Sequence, residues 1–61
     1  MNFSDELKQW RAREGYTQER AASFLGVSLR TYQEWEQGRQ APDQLGPIRK
    51  AIELSNARRQ P

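Results

Sequence analysis

Sixty-one residues with no cysteine and no histidine allow one small core, without disulfide staples, thiolate or imidazole metal sites, or Ser-His and Cys-His catalytic pairs. Hydrophobic residues are only 34 % of the chain and the mean hydropathy is -1.12, so Trp10, Trp35, Tyr16 and Tyr32 are expected to fill much of that core. A net charge of +2 and a pI of about 9.5 fall in a range shared by nucleic-acid binders, which is weak evidence by itself.

Ser4 reads as the N-cap of a first helix, with Asp5 and Glu6 suited to the positive end of its dipole. That helix is expected to run to about Glu14, with Phe3, Leu7 and Trp10 on one apolar stripe and Gly15 as a left-handed cap. Thr17 is the N-cap of a second helix that ends at Leu25, whose inner face is Ala21, Ala22 and Leu25. Phe24 lies on the side this pattern leaves outward, either as a contact surface or folded back over Ala21. Gly26 stands where a chain reversing between helices needs a positive φ, and Val27 is apolar enough to plug the corner.

Ser28 caps a third helix, Leu29 to Gln37, with Tyr32, Trp35 and Glu36 on one side and Arg30, Gln33, Glu34 and Gln37 elsewhere on its surface. Gly38 ends it, and Arg39 to Leu45 reads as a loop stiffened by Pro42. Gly46 and Pro47 open a fourth helix, since proline suits the first helical position, and Ile48, Ala51 and Ile52 face the core. Beyond Ser55 the chain turns polar and basic, and a frayed tail carrying Arg58 and Arg59 is expected. The expected division is a single domain over 1–57 and a basic tail over 58–61.

Two short helices joined by a glycine-containing turn match a helix-turn-helix in length, although any small helical hairpin does so too. The residues narrow the choice. The run Gly15-Tyr16-Thr17-Gln18-Glu19-Arg20-Ala21-Ala22-Ser23-Phe24-Leu25-Gly26-Val27-Ser28, followed by Trp35-Glu36-Gln37-Gly38-Arg39 and Pro42, resembles the Cro and lambda-repressor family, also called XRE-like. The resemblance covers about residues 7 to 54, and its most specific parts are the Thr-Gln start of the second helix, the Leu-Gly-Val-Ser corner and the Trp-Glu-Gln-Gly-Arg end of the third.

This resemblance implies a compact all-α domain of four helices, or five, with the motif over 17–38 and a recognition helix over 28–37. Ser28, Leu29, Arg30 and Glu34 are then the base-contacting candidates, and Arg30 can pair bidentately with guanine. Leu29 departs from the family's frequent polar residue and is left with a thymine methyl to touch; Glu34 can accept from cytosine or pair with Arg30 along the helix. Thr17, Gln18, Gln37 and Arg39 match phosphate-contacting positions. Arg11 and Glu36 match a family ion pair that ties the first helix to the third.

The function so implied is a sequence-specific transcriptional regulator of double-stranded DNA. A repressor or autorepressor is expected, binding a palindromic operator as a homodimer and borne by a phage or mobile element. The alternative is an antitoxin-type protein-binding module that also binds its own operator. An enzyme is the reading these residues favour least, because the eight carboxylates are scattered and form no paired acidic motif. No cofactor, metal or small-molecule ligand is expected. No apolar run approaches the roughly 20 residues that span a bilayer, so no membrane partner is expected and a cytoplasmic location is the default.

Overall fold

Asn2, not Ser4, caps the first helix of the computed structural model, which describes residues 2–58. The Asn2 side-chain oxygen accepts the Asp5 N–H at 3.0 Å, and the Ser4 hydroxyl donates to the same oxygen at 3.0 Å. Starting the helix two residues earlier places Phe3 within it, where its ring is buried edge-on to Trp35 at 5.9 Å. The buried aromatic contact outweighs the choice between two competent capping side chains, which differ little in preference.

Four helices follow in chain order, α1 (Phe3–Glu14), α2 (Gln18–Leu25), α3 (Leu29–Gln37) and α4 (Leu45–Arg58), with no strand among the described residues. Thr17 and Ser28 cap α2 and α3 by accepting the N–H three residues on, and each of the first three helices ends at a glycine. At the α2–α3 corner Gly26 sits at φ 76°, a left-handed conformation that a side chain disfavours. Val27, next in the chain, packs partly buried against the core and closes the corner from inside.

The core is built largely from α1 and α3, with Leu7, Trp10 and Tyr32 having no exposed surface and Ala21 and Ala22 letting α2 lie close. Leu25, Leu45 and Ile48 complete its edge. Phe24 remains 41 % exposed, yet one side of its ring is occupied: it tilts against Trp10 at 5.6 Å and Tyr16 at 6.2 Å. Tyr16 in turn meets Trp10 edge-on at 5.7 Å, and the Arg20 guanidinium lies 5.7 Å from the Tyr16 ring centre. The outward position of Phe24 thus seals an aromatic cluster, and its partner is this cluster instead of Ala21.

Helix α4 departs from the sequence expectation at both ends. It begins at Leu45, so Pro47 is the third helical residue instead of the first. Proline is tolerated there because the first four N–H groups of a helix have no intrahelical acceptor. At the other end the helix continues through Asn56 and Ala57 to Arg58, across residues the sequence reading assigned to a tail. Ser55 accounts for this: it is buried, accepts the Trp10 indole N–H at 3.3 Å and donates to Glu14 at 2.8 Å. A polar residue that ends an apolar pattern is here a tether to α1. An exposed ion pair, Arg49 to Glu6 at 2.8 Å, adds a second link. Arg59 lies outside the described residues. No helix among them is long and apolar enough to cross a membrane.

Candidate nucleic-acid interface

Helix α3 turns Tyr32, Trp35 and Glu36 inward, and at about 100° per residue Arg30, Glu34 and Gln37 must lie on the opposite arc. Arg30 and Gln37 are exposed, Leu29 is 37 % exposed, and Glu34 is half-buried. Arg30 has no ion-pair partner among the described residues, so the Arg30–Glu34 pairing open to the sequence is not formed. Ser28 is occupied locally, accepting the Thr31 N–H at 3.2 Å and donating to the Thr31 hydroxyl at 3.0 Å.

At the start of α2 Thr17 is exposed and spends its hydroxyl oxygen on the Arg20 N–H at 3.1 Å. Arg39 is exposed just beyond Gly38, with its backbone N–H bonded to the Glu34 carbonyl at 3.0 Å. The amino end of α2, the amino end of α3 and the turn after α3 are the regions that carry the candidate contact residues.

What joins the amino end of α2 to α3 is a polar cluster centred on Glu36, whose side chain is 5 % exposed. Arg11 donates to both its oxygens, from Nε at 2.6 Å and from Nη2 at 3.3 Å, and also reaches the Tyr16 carbonyl at 3.3 Å. The Tyr32 hydroxyl and the Gln18 Nε2, the latter at 3.0 Å, supply two further donors. A buried carboxylate is tolerable only with such full pairing, and four donors provide it. No buried side-chain polar atom among the described residues lacks a partner. The cluster bonds α1, the start of α2 and the inner face of α3 to one another, which fixes the orientation of α3.

The Gln18 side chain is therefore committed inside the molecule, since its Oε1 also accepts from Gln33 Nε2 at 3.2 Å. Sequence reasoning did not single out Gln33, because a polar residue on a solvent-side helix position carries no signal until its neighbour is known. Nor did it foresee the Tyr32 hydroxyl as a partner of Glu36 one helical turn away, although the spacing of four residues permitted it. Among the described residues no group of acidic, histidine or cysteine side chains could hold a metal ion.

The cluster also sets a pH dependence. Burial pushes the Glu36 carboxyl up, but hydrogen bonds from Arg11, Tyr32 and Gln18 outweigh it and hold the group below its ordinary 4.5. A depressed folded value means that this contribution to stability is complete above the ordinary carboxylate range and is lost as pH falls through the folded value. Burial and the bond to Glu36 push the Tyr32 phenol well above its ordinary 10.0, so its contribution holds below that value and is lost on the alkaline side. Urea unfolding between about pH 5 and pH 3 is expected to show stability falling in the native chain and falling less steeply in Glu36→Gln. Equal slopes would assign the acid sensitivity to other carboxylates.

Known proteins agree with this architecture. A family model described as a helix-turn-helix domain matches residues 2–60. Over 54 residues the chain is 37 % identical to the SPbeta prophage-derived uncharacterized HTH-type transcriptional regulator YonR of Bacillus subtilis (strain 168). That match takes in 88 % of this chain and 46 % of the relative, so the chain spans about half of the relative's length. No solved structure matches it. With the family model covering nearly every residue and both helices of the motif in place around their glycine corner, the chain belongs to the XRE-like family of helix-turn-helix domains.

Proposed function

We propose that the chain binds double-stranded DNA by laying the amino end of α3 in the major groove, and that it regulates transcription as a repressor. The observation that carries this reading is the Arg30 guanidinium, exposed and without an ion-pair partner among the described residues, at the start of a helix clamped from behind by the Glu36 cluster. A guanidinium held so is suited to guanine O6 and N7. Leu29 beside it offers an apolar surface to a thymine methyl, and Glu34 and Ser28 flank them. Thr17, Gln37 and Arg39 are placed in the reading as phosphate contacts. Gln18 joins them through its backbone N–H, because the helix dipole and free amides at the start of α2 favour an anion while its side chain is engaged elsewhere.

One α3 reads few base pairs, and its phosphate contacts weaken as salt rises. Two copies related by a two-fold axis would set their recognition helices about 34 Å apart on a palindromic operator. Leu54 on α4 is 57 % exposed and is the apolar side chain we assign to that homodimer contact, since Leu45 and Ile48 are already packed on the core. Occupying a promoter in this way represses it, and the reading places the chain in the cytoplasm.

Selection of bound sites from random duplexes tests the reading. Arg30→Ala is expected to erase the preference at one base pair in each half-site, a loss of about 1–3 kcal/mol of discrimination. Weakening spread evenly over all positions would make Arg30 a phosphate contact, and no salt-sensitive duplex binding by the native chain would end the proposal.

A further inference from the structure

Resting on the reading of α3 as the DNA-facing helix, we propose that Gln33 is a specificity-determining residue for adenine, with its carboxamide orientation set by Glu36 through Gln18. A free glutamine amide can turn either end outward, because its oxygen and nitrogen ends have nearly the same shape. Here the ambiguity is removed by chemistry. An ionised carboxylate only accepts hydrogen bonds, so Gln18 must turn Nε2 toward Glu36 Oε1, 3.0 Å away. Its Oε1 then faces the other way and can only be met by a donor, which is Gln33 Nε2 at 3.2 Å.

Both amides are thereby locked in sequence, and Gln33 retains its Oε1 and one N–H for a ligand. That remaining edge, one acceptor beside one donor, is the complement of adenine N6–H and N7 in the major groove. Guanine offers two acceptors there, and the fixed Gln33 oxygen would oppose one of them. Gln33 stands three residues after Arg30 and four before Gln37, so the three are neighbours on the helix surface. Gln33 is half-buried, and its amide nitrogen is held by the bond to Gln18, which places it on the flank of α3 toward α2. Leu29, which carries no amide, leaves amide readout at this end of α3 to Gln33.

Site selection from random duplexes with the native chain, Gln33→Ala, Gln33→Glu and Gln18→Met separates the possibilities. The native chain is expected to prefer adenine at one position of each bound site, by about 5- to 150-fold. Gln33→Ala should lose that preference alone, with the preference due to Arg30 and the salt dependence retained. Gln33→Glu, which has no donor for either Gln18 Oε1 or adenine N7, should lose the adenine preference as well. Gln18→Met keeps the stem but frees the Gln33 amide to rotate, so the same single preference should shrink while the others stand. Melting curves of each variant confirm that folded protein is compared. If Gln33→Ala and Gln33→Glu select the native sites unchanged, Gln33 reads no base and this proposal falls while DNA binding through α3 remains. If Gln18→Met weakens all positions evenly, the orienting role of Gln18 falls. If the native chain binds no duplex, both this proposal and the reading it rests on are overturned.

Discussion

Arg11→Met is expected to leave the domain largely unfolded at neutral pH, whereas Glu36→Gln should leave it folded. The asymmetry comes from where each stranded group would sit. Without Arg11, a carboxylate 5 % exposed keeps its charge with only Tyr32 and Gln18 to bond it, a loss of about 3–5 kcal/mol. A single core in a chain of this size supplies about 3–5 kcal/mol in all, so little would remain. Without the Glu36 charge, Arg11 is left 29 % exposed and can recover water, and a glutamine oxygen can still accept from Tyr32. That replacement is expected to cost about 1–2 kcal/mol. Urea unfolding followed by tryptophan fluorescence measures both. Arg11→Met should also regain stability as the pH is lowered toward 5, because the unpaired buried carboxyl then takes up a proton. Finding Glu36→Gln the more damaging of the two would show that the charge on Glu36 does not dominate the cluster.

Trp10→Ala ranks with it, at about 3–5 kcal/mol, since a fully buried indole leaves a cavity among Tyr16, Phe24 and Ser55. The milder Trp10→Phe identifies the mechanism, because it keeps a ring beside Tyr16 and Phe24 but removes the N–H that Ser55 accepts. Its effect should be concentrated in α4, which is tied to α1 through that bond and through Ser55 to Glu14. Amide hydrogen exchange is the measurement. Protection should fall in α4 first, with α2 and α3 near their native values. Uniform loss across all four helices would show that Ser55 is not a separate tether.

The proposed role of α3 as a recognition helix gains its physical basis from the first of these features. A recognition helix is useful only if its leading side chains are held in one orientation, and the Glu36 cluster holds α3 from its buried side. Arg30 and Leu29 need no internal partners for this, which leaves them available to a ligand.

Local chemistry in the chain determined the boundaries of α2 and α3 by itself. Thr17 and Ser28 cap, Gly26 and Gly38 terminate, and the apolar spacing of Tyr32 and Trp35 turns α3 inward, all through interactions within a few residues. The outward arc at the start of α3, with Leu29 and Arg30 on it, was legible for the same reason, since a helix start and its exposed side follow from the cap and the period. Only tertiary structure decided the rest. It chose Asn2 over Ser4 because Phe3 had to reach Trp35, and it carried α4 past Ser55 because that hydroxyl meets Trp10 and Glu14. Phe24 acquired its partners in the same way, and so did Gln18, drawn from the surface to a buried carboxylate 18 residues away. Each of these outcomes depends on a group distant in sequence, and a side chain's hydrogen-bonding capacity does not say which distant group will satisfy it.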